Sequence, residues 1–223
     1  MISTVSKLKV GVLSTYHKNY VPMTEMTFPS FERYCLHNEY SFLPHVIDIE
    51  DTPHALTRIG FSKIDRVLSV LLEDEYDVLW VTDVDILITN QAVKIEQFLD
   101  DDNNYYVARD WDGINNGSFI IKNNEWSIEF LKWILSHRHS CRNEQDIIKH
   151  NTKSPFWKKI KILPQPSINS FLYSEYPKYG QSRIRNIGSA GDWKPEHLMF
   201  HLPGFSYAQR IEILNKTEFS KYK

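Results

Sequence analysis

Tyr76-Asp77-Val78-Leu79-Trp80-Val81-Thr82-Asp83-Val84-Asp85 holds an apolar run, Val78 to Val81, that ends abruptly in two carboxylates spaced i and i+2. The run reads as a buried strand. Side chains alternate along an extended backbone, so Asp83 and Asp85 are expected to leave on the same side. Two carboxylates at the end of a buried strand repel each other and lose hydration. A divalent cation answers both costs, and hard oxygen ligands suit Mg²⁺ or Mn²⁺. In an open α/β sheet the carboxyl end of a strand is also where ligands bind. A solvated turn after a strand is the plainer alternative, because Asp-x-Asp is common.

The flanking sequence supplies the sheet. Phe61 to Leu72 is a strongly amphipathic helical pattern with Ile64, Val67, Leu68, Leu71 and Leu72 inward, and it leads directly into the Val78 strand. Upstream, Lys7 to Ser14 reads as a first strand with Thr15, Tyr16 and His17 at its carboxyl end. Pro29 to Tyr40 reads as a helix with Pro29 in its first turn, and Phe42 to Ile47 as a second strand. Strands alternating with helices predict a mostly parallel sheet with helices on its faces. Downstream, Val93 to Leu99 reads as a short helix, and Tyr105 to Ala108 and Ser118 to Lys122 as strands separated by a polar turn at Asn115-Asn116-Gly117. Trp126 to Leu135 and Glu144 to His150 read as helices. Lys159 to Leu163 and Leu198 to His201 read as strands, with a C-terminal helix after Gly204. Pro164 to Pro195 is loop-rich, and such segments are often lids or binding loops.

No repeat or low-complexity linker divides the 223 residues, so one domain spanning 1–223 is expected. The apolar fraction of 42% supports a sizeable core. A net charge of −2 with mixed signs asks for neither a nucleic-acid backbone nor an anionic membrane as partner. Charges interrupt every apolar run before the roughly 18 residues a spanning helix needs, and Met1 to Lys9 is too polar for a signal-peptide core. The expectation is a soluble, cytoplasmic protein without a membrane segment. Two cysteines, Cys35 and Cys141, make no disulfide framework. His137, His139 and Cys141 alternate without a fourth zinc ligand at a useful spacing and read as a loop or helix end.

Four further segments line up with the Asp pair: Phe61-Ser62-Lys63, Asn115-Asn116-Gly117-Ser118-Phe119, Glu144-Gln145-Asp146-Ile147-Ile148 and His201-Leu202-Pro203-Gly204. In this order and spacing the chain resembles GT-A glycosyltransferases, which use a nucleotide-sugar donor. It is most similar to the family of yeast galactosyl- and mannosyltransferases and plant xyloglucan xylosyltransferases. Tyr20-Val21-Pro22-Met23-Thr24, Asn124-Glu125-Trp126-Ser127 and Ile168-Asn169-Ser170 resemble that family too, and the likeness runs from about Thr15 to Gly204. The Lys, Gln and His-x-x-Gly elements are shared with glycogenin-type and bacterial galactosyltransferase families. Small soluble glycosyltransferase domains of this size also occur in large DNA viruses.

The resemblance implies a GT-A, Rossmann-like sheet flanked by helices. A nucleotide-binding half would occupy about 1–110, and a smaller acceptor-side region about 111–223. It implies that Asp83, Asp85 and His201 hold the cation, Mn²⁺ ahead of Mg²⁺ because His201 adds a nitrogen ligand. Thr15, Tyr16, Lys63, Val84, Asn116 and Gly204 join the Asp pair in binding the donor: Tyr16 by stacking on the base, Lys63 toward phosphate or sugar, Gly204 by close backbone approach. Tyr16 could equally pack in the core, and Lys63 could snorkel from a helix edge. Asp110 and Glu144 would accept hydrogen bonds from sugar hydroxyls, and Gln145 would sit near the anomeric carbon. The plainer alternatives are a turn residue and helix-start residues. Glu144 stands where relatives usually carry Asp. Many relatives place a Lys after His-x-x-Gly; here Phe205, Ser206 and Tyr207 stand there, and Arg210 is the nearest substitute.

The implied reaction is transfer from a UDP-sugar, favoured over a GDP-sugar, to a glycan hydroxyl with retention of configuration. The expected route is front-face, since no strong base is evident opposite the donor. A double displacement would call on Asp112 or Glu144 as nucleophile. A nucleotidyltransferase or phosphodiesterase could also use a two-Asp metal site, but Ser14-Thr15-Tyr16-His17-Lys18-Asn19 lacks the glycine-rich loop of nucleotidyltransferases. An inactive, sugar-binding relative is the non-enzyme alternative. The Pro164–Pro195 loop, with Asn169 and Trp193, is expected to shape the acceptor site.

Overall fold

The computed structural model describes residues 7–52, 58–181 and 191–223. Val10–His17 forms strand β1, buried almost throughout. Ser41–Ile47 (β2) and Val78–Asp83 (β3) pair with it on either side, both parallel. Ile86–Ile88 (β4) follows β3 after a two-residue turn. Tyr105–Asp110 (β5), Gly113–Lys122 (β6) and Ile160–Leu163 (β7) complete a six-stranded sheet in the order β2-β1-β3-β6-β5-β7. Only β6 opposes the rest: it is antiparallel to β3 and β5, and β7 is parallel to β5. Ser170–Phe171 (β8) and Met199–His201 (β9) join β4 in a second, three-stranded sheet.

Strand alternation sorts the core into two layers. Val10, Val12, Trp80, Tyr106 and Ile120 face Val21–Asn38 (α1), which contributes Phe31, Tyr34 and Cys35. Leu13, Leu79, Val81, Tyr105 and Phe119 face the other way. There Ile59–Leu72 (α2), Glu125–Ser136 (α3) and Glu144–His150 (α4) cover them with Ile64, Val67, Leu131, Ile134 and Ile147. A third cluster ties the small sheet, through Phe171 and Phe200, to Ile213 and Leu214 of Tyr207–Leu214 (α6). The α/β fold, the mostly parallel sheet and the flanking helices match the sequence reading. Among the described residues no helix is long and apolar enough to cross a membrane.

Several boundaries differ from expectation. Helix α1 starts at Val21, with Pro22 in its first turn and Pro29 in its interior. Met23, Thr24 and Thr27 are buried and hold the early turns in place, and the Thr27 and Ser30 hydroxyls donate to backbone carbonyls of the preceding turn. Asn115-Asn116-Gly117 lies inside β6; the chain reverses at Trp111–Asp112. Leu72 ends α2 exposed, and the Val93–Leu99 segment is only a 3-10 turn, Ile95–Phe98. Strand β3 stops at Asp83, so turn geometry rather than strand alternation aims Asp85. The loop-rich segment contains the short helix Gln165–Ile168 (α5), β8 and a 3-10 turn; residues 182–190 of it lie outside the described residues.

Trp80 joins the sheet to α1. It is fully buried, lies against the rings of Phe31 and Tyr34, and donates from Nε1 to Ser118 Oγ at 3.0 Å. Trp80→Ala is expected to lower the unfolding free energy by about 3–5 kcal/mol, read from urea denaturation. A loss below about 1 kcal/mol would contradict this packing.

Candidate active site

The carboxyl edge of the large sheet meets the small sheet here. Antiparallel pairing of β4 with β9 sets Ile86 opposite His201, and Leu202 N donates to Asp85 O at 3.1 Å. That register carries His201 to the carboxylates. One ligand atom from each of Asp83, Asp85 and His201 lies within 4.8 Å of the others. His201 Nε2 is 3.3 Å from Asp85 Oδ1, and Nδ1 is 2.8 Å from the side-chain oxygen of Asn169. An amide oxygen only accepts, so Nδ1 carries a proton and Nε2 faces the carboxylates.

The cluster sits against Gly117. A Cβ there would lie 2.3 Å from His201 Cε1 and 2.9 Å from Asp83 Oδ2. Burial pushes the Asp83 carboxyl up, with the Asp85 charge adding to it against Lys63 and His201. Burial opposes ionisation of Asp85 as well, but Arg210 and His201 outweigh it and hold that carboxyl below the usual range. Arg210 Nε is 3.0 Å from Asp85 Oδ2, yet its hydrogen goes to Leu202 O at 3.0 Å. Asp85 Oδ2 is therefore buried without accepting a hydrogen bond. Two carboxylates, one of which keeps an oxygen that accepts no hydrogen bond, and one imidazole nitrogen are a donor set that fits a divalent cation.

A second network stands beside the first. Lys63 comes from α2 and is 5% exposed. Its ammonium donates to Asp83 Oδ1 and to Asn116 O, each at 2.9 Å, and lies 3.3 Å from Glu144 Oε1. Burial disfavours its charge, but Asp83 and Glu144 outweigh burial and raise its pKa above the ordinary lysine value. Asn116 ties the network to β6. Its N–H donates to Gln145 Oε1 at 2.8 Å, its Nδ2 to Glu144 Oε1 at 3.3 Å, and its Oδ1 accepts from the Tyr105 hydroxyl. The Asn143 side chain caps α4 by accepting from Asp146 N at 2.8 Å. Glu144 and Gln145 thereby enter the first helical turn facing β6.

These groups open on a cavity of about 410 Å³. Thr15, Tyr16, Lys63, Asp83, Val84, Asp85, Asn116, Glu144, Gln145, His201 and Gly204 all line it. Asp110 is not among the lining residues. It is buried, and it accepts from Asn115 Nδ2 and from Asp112 N, each at 2.7 Å. Asn115 does line the cavity and accepts from Gly117 N at 2.9 Å, so Asp110 stands behind Asn115 rather than at the cavity wall. Asp112 pairs with Lys149 at 3.0 Å, away from the cavity. Arg210 also lines the cavity, beside Asp85. Asn169 is fully buried behind His201 rather than on an acceptor surface. Trp193 packs on Phe200 and Phe219 and donates to Thr89 Oγ1 at 3.0 Å. His17, Tyr20 and Gly60 also line the cavity and were given no role by the sequence. Gly60 stands just before the Phe61–Leu72 pattern read from the sequence, in a helical turn that the pattern did not include.

The fold and site define a GT-A glycosyltransferase architecture. Residues 99–212 match the model of the galactosyl transferase GMA12/MNN10 family, and the chain belongs to that family. A glycosyltransferase involved in the glycosylation of the major capsid of PBCV-1 is similar over 92% of this chain and 98% of its own, at 18% identity and a TM-score of 0.71. The glycosyltransferase GlyE of Streptococcus pneumoniae TIGR4 is similar at 17% identity and a TM-score of 0.56; this chain spans 86% of itself and 54% of GlyE. The galactosyltransferase LgtC, solved with donor and acceptor sugar analogs, matches over 87% of each chain at 13% identity and a TM-score of 0.50. At such identities the likeness is one of fold. A comparison with curated protein sequences yields no match.

If Asn169 fixes the His201 ring, Asn169→Ala is expected to weaken divalent-cation affinity by roughly 10–100-fold, measured by calorimetric titration, while the fold persists. Unchanged affinity would show that Asn169 does not orient this ligand.

Proposed function

We propose that the protein transfers a sugar from a UDP-sugar to a glycan hydroxyl with retention of anomeric configuration, in a reaction that depends on a divalent cation, Mn²⁺ ahead of Mg²⁺. One observation carries the reading: Asp83, Asp85 and His201 converge in the same cavity as Glu144 and Gln145. A cation held there would neutralise a diphosphate as its bond to the sugar breaks. Thr15 and Tyr16, at the end of β1, would hold the nucleoside. Lys63 keeps its ammonium form between two carboxylates, which fixes Asp83 and Glu144 in place. Asn116 N–H pins Gln145 Oε1, so the second lone pair of that oxygen would meet the developing positive charge at the anomeric carbon from a fixed position.

The acid inventory supports retention. The carboxylates that line the cavity are Asp83, Asp85 and Glu144, and each lies beside a basic side chain. Both ring nitrogens of His17 are engaged with backbone, Nε2 with Ile49 O and Nδ1 with Asn19 N. Among the described residues lining the cavity, none is left as a free base for attack from the opposite face. The leaving phosphate oxygen then takes the acceptor proton on the same face, and positioning and electrostatics supply the rate.

Three outcomes follow. Slow donor hydrolysis, followed with single nucleotide sugars, is expected to require Mn²⁺ and to stop in excess EDTA, and Asp85→Ala is expected to lose nucleotide affinity together with turnover. Full turnover under chelation would end the metal reading. Gln145→Ala is expected to lower turnover by about two orders of magnitude with UDP affinity nearly intact, the mark of an interaction made mainly in the transition state. NMR of freshly formed product is expected to show the donor's own anomeric configuration; an inverted linkage would overturn the mechanism.

A further inference from the structure

Gly60 has no backbone reason to be glycine. It lies in the first turn of α2, and it is not among the glycines with positive φ, which are Gly113, Gly180 and Gly204. Helical φ suits any L-residue, and glycine weakens a helix relative to alanine. What excludes a side chain is Glu144. A Cβ on Gly60 would lie 1.7 Å from Glu144 Oε2 and 2.5 Å from its Cδ. The other carboxylate oxygen is already committed, since Oε1 faces Lys63 Nζ and accepts from Asn116 Nδ2, each at 3.3 Å. The carboxylate is thus pinned at Oε1 and seated on the bare Cα of residue 60 at Oε2. Both residues line the cavity, and Glu144 is 5% exposed.

We infer that Gly60 is a positioning residue for the donor sugar: its missing side chain is the socket that admits the Glu144 carboxylate and sets where Oε2 meets a sugar hydroxyl. The inference rests on the transferase reading above. A methyl group at 60 leaves the helix intact, because the atom it strikes is the end of a flexible side chain. The carboxylate must retreat by about 1.3 Å to restore even a 3.0 Å contact, the shortest that real Cβ atoms show. That retreat pulls Oε1 away from Lys63 and Asn116 and moves Oε2 off the sugar. An aspartate at 144 is one methylene shorter and clears the methyl.

The test compares wild type, Gly60→Ala, Glu144→Asp and the double variant, using thermal unfolding, UDP affinity with Mn²⁺, and kcat and KM for donor turnover. Gly60→Ala is expected to stay folded, with a Tm somewhat below wild type because the buried Lys63–Glu144 pair is loosened, and to keep near-normal UDP affinity, while kcat falls roughly 100-fold, the scale of a misplacement of about 1 Å. Adding Glu144→Asp is expected to recover most of that loss. Wild-type kcat in Gly60→Ala, or a folded double variant no faster than Gly60→Ala, overturns the inference while the transferase reading stands. A wild type that turns over no nucleotide sugar overturns the reading and this inference together.

Discussion

Two carboxylates at the end of a buried strand cannot both stay ionised without positive charge close by, and much of this site is arranged around that constraint. Asp83 and Asp85 are pushed in opposite directions, one up by burial and its neighbour's charge, the other down by Arg210 and His201. Lys63 answers Asp83 from α2, and Arg210 answers Asp85 from α6. These counter-charges come from elements far apart in the chain, so the folded sheet edge has to exist before the site does. The same constraint explains why Gly117 must lack a side chain, since the imidazole and the Asp83 carboxylate occupy its Cβ position.

The two networks share Asp83 and divide the labour. On one side, His201 and Asp85 present nitrogen and oxygen donors, with the imidazole oriented by a buried amide. On the other, Lys63 and Asn116 hold Glu144 and Gln145 at the head of a capped helix. In the proposed reaction the first group faces the diphosphate and the second the sugar. The bond to be broken lies between them, so a shift in Lys63 or Asn116 would be felt at both ends. Charged groups held this rigidly cost little reorganisation during the reaction.

Local patterns made the frame legible. The apolar run into Asp83, the amphipathic Phe61–Leu72 segment and the strand–helix alternation are signals of short range, and the elements form close to those positions. Family-like motifs brought Lys63, Glu144, Gln145 and His201 forward, and the fold assembles them. Long-range relations were not legible. Asn115-Asn116-Gly117 has the composition of a turn, yet it is a buried strand, because its polar groups bond Gln145, Glu144 and Lys63 from other elements. Asn169 looked like a loop residue until β8 and β9 placed it behind His201. Asp110 kept its polar neighbourhood but stands one residue removed from the cavity, behind Asn115. Gly60 carries no signal without knowing where Glu144 lies.

The central claim is that Asp83, Asp85 and His201 together bind the cation that meets the donor diphosphate. Pulsed electron paramagnetic resonance of the Mn²⁺-loaded protein with UDP tests it at the atoms concerned. The account predicts bound Mn²⁺ with an imidazole nitrogen coupling that disappears in His201→Gln, together with a phosphorus coupling from UDP. Mn²⁺ that remains in free solution, or that binds with no nitrogen coupling in the wild type, would contradict it.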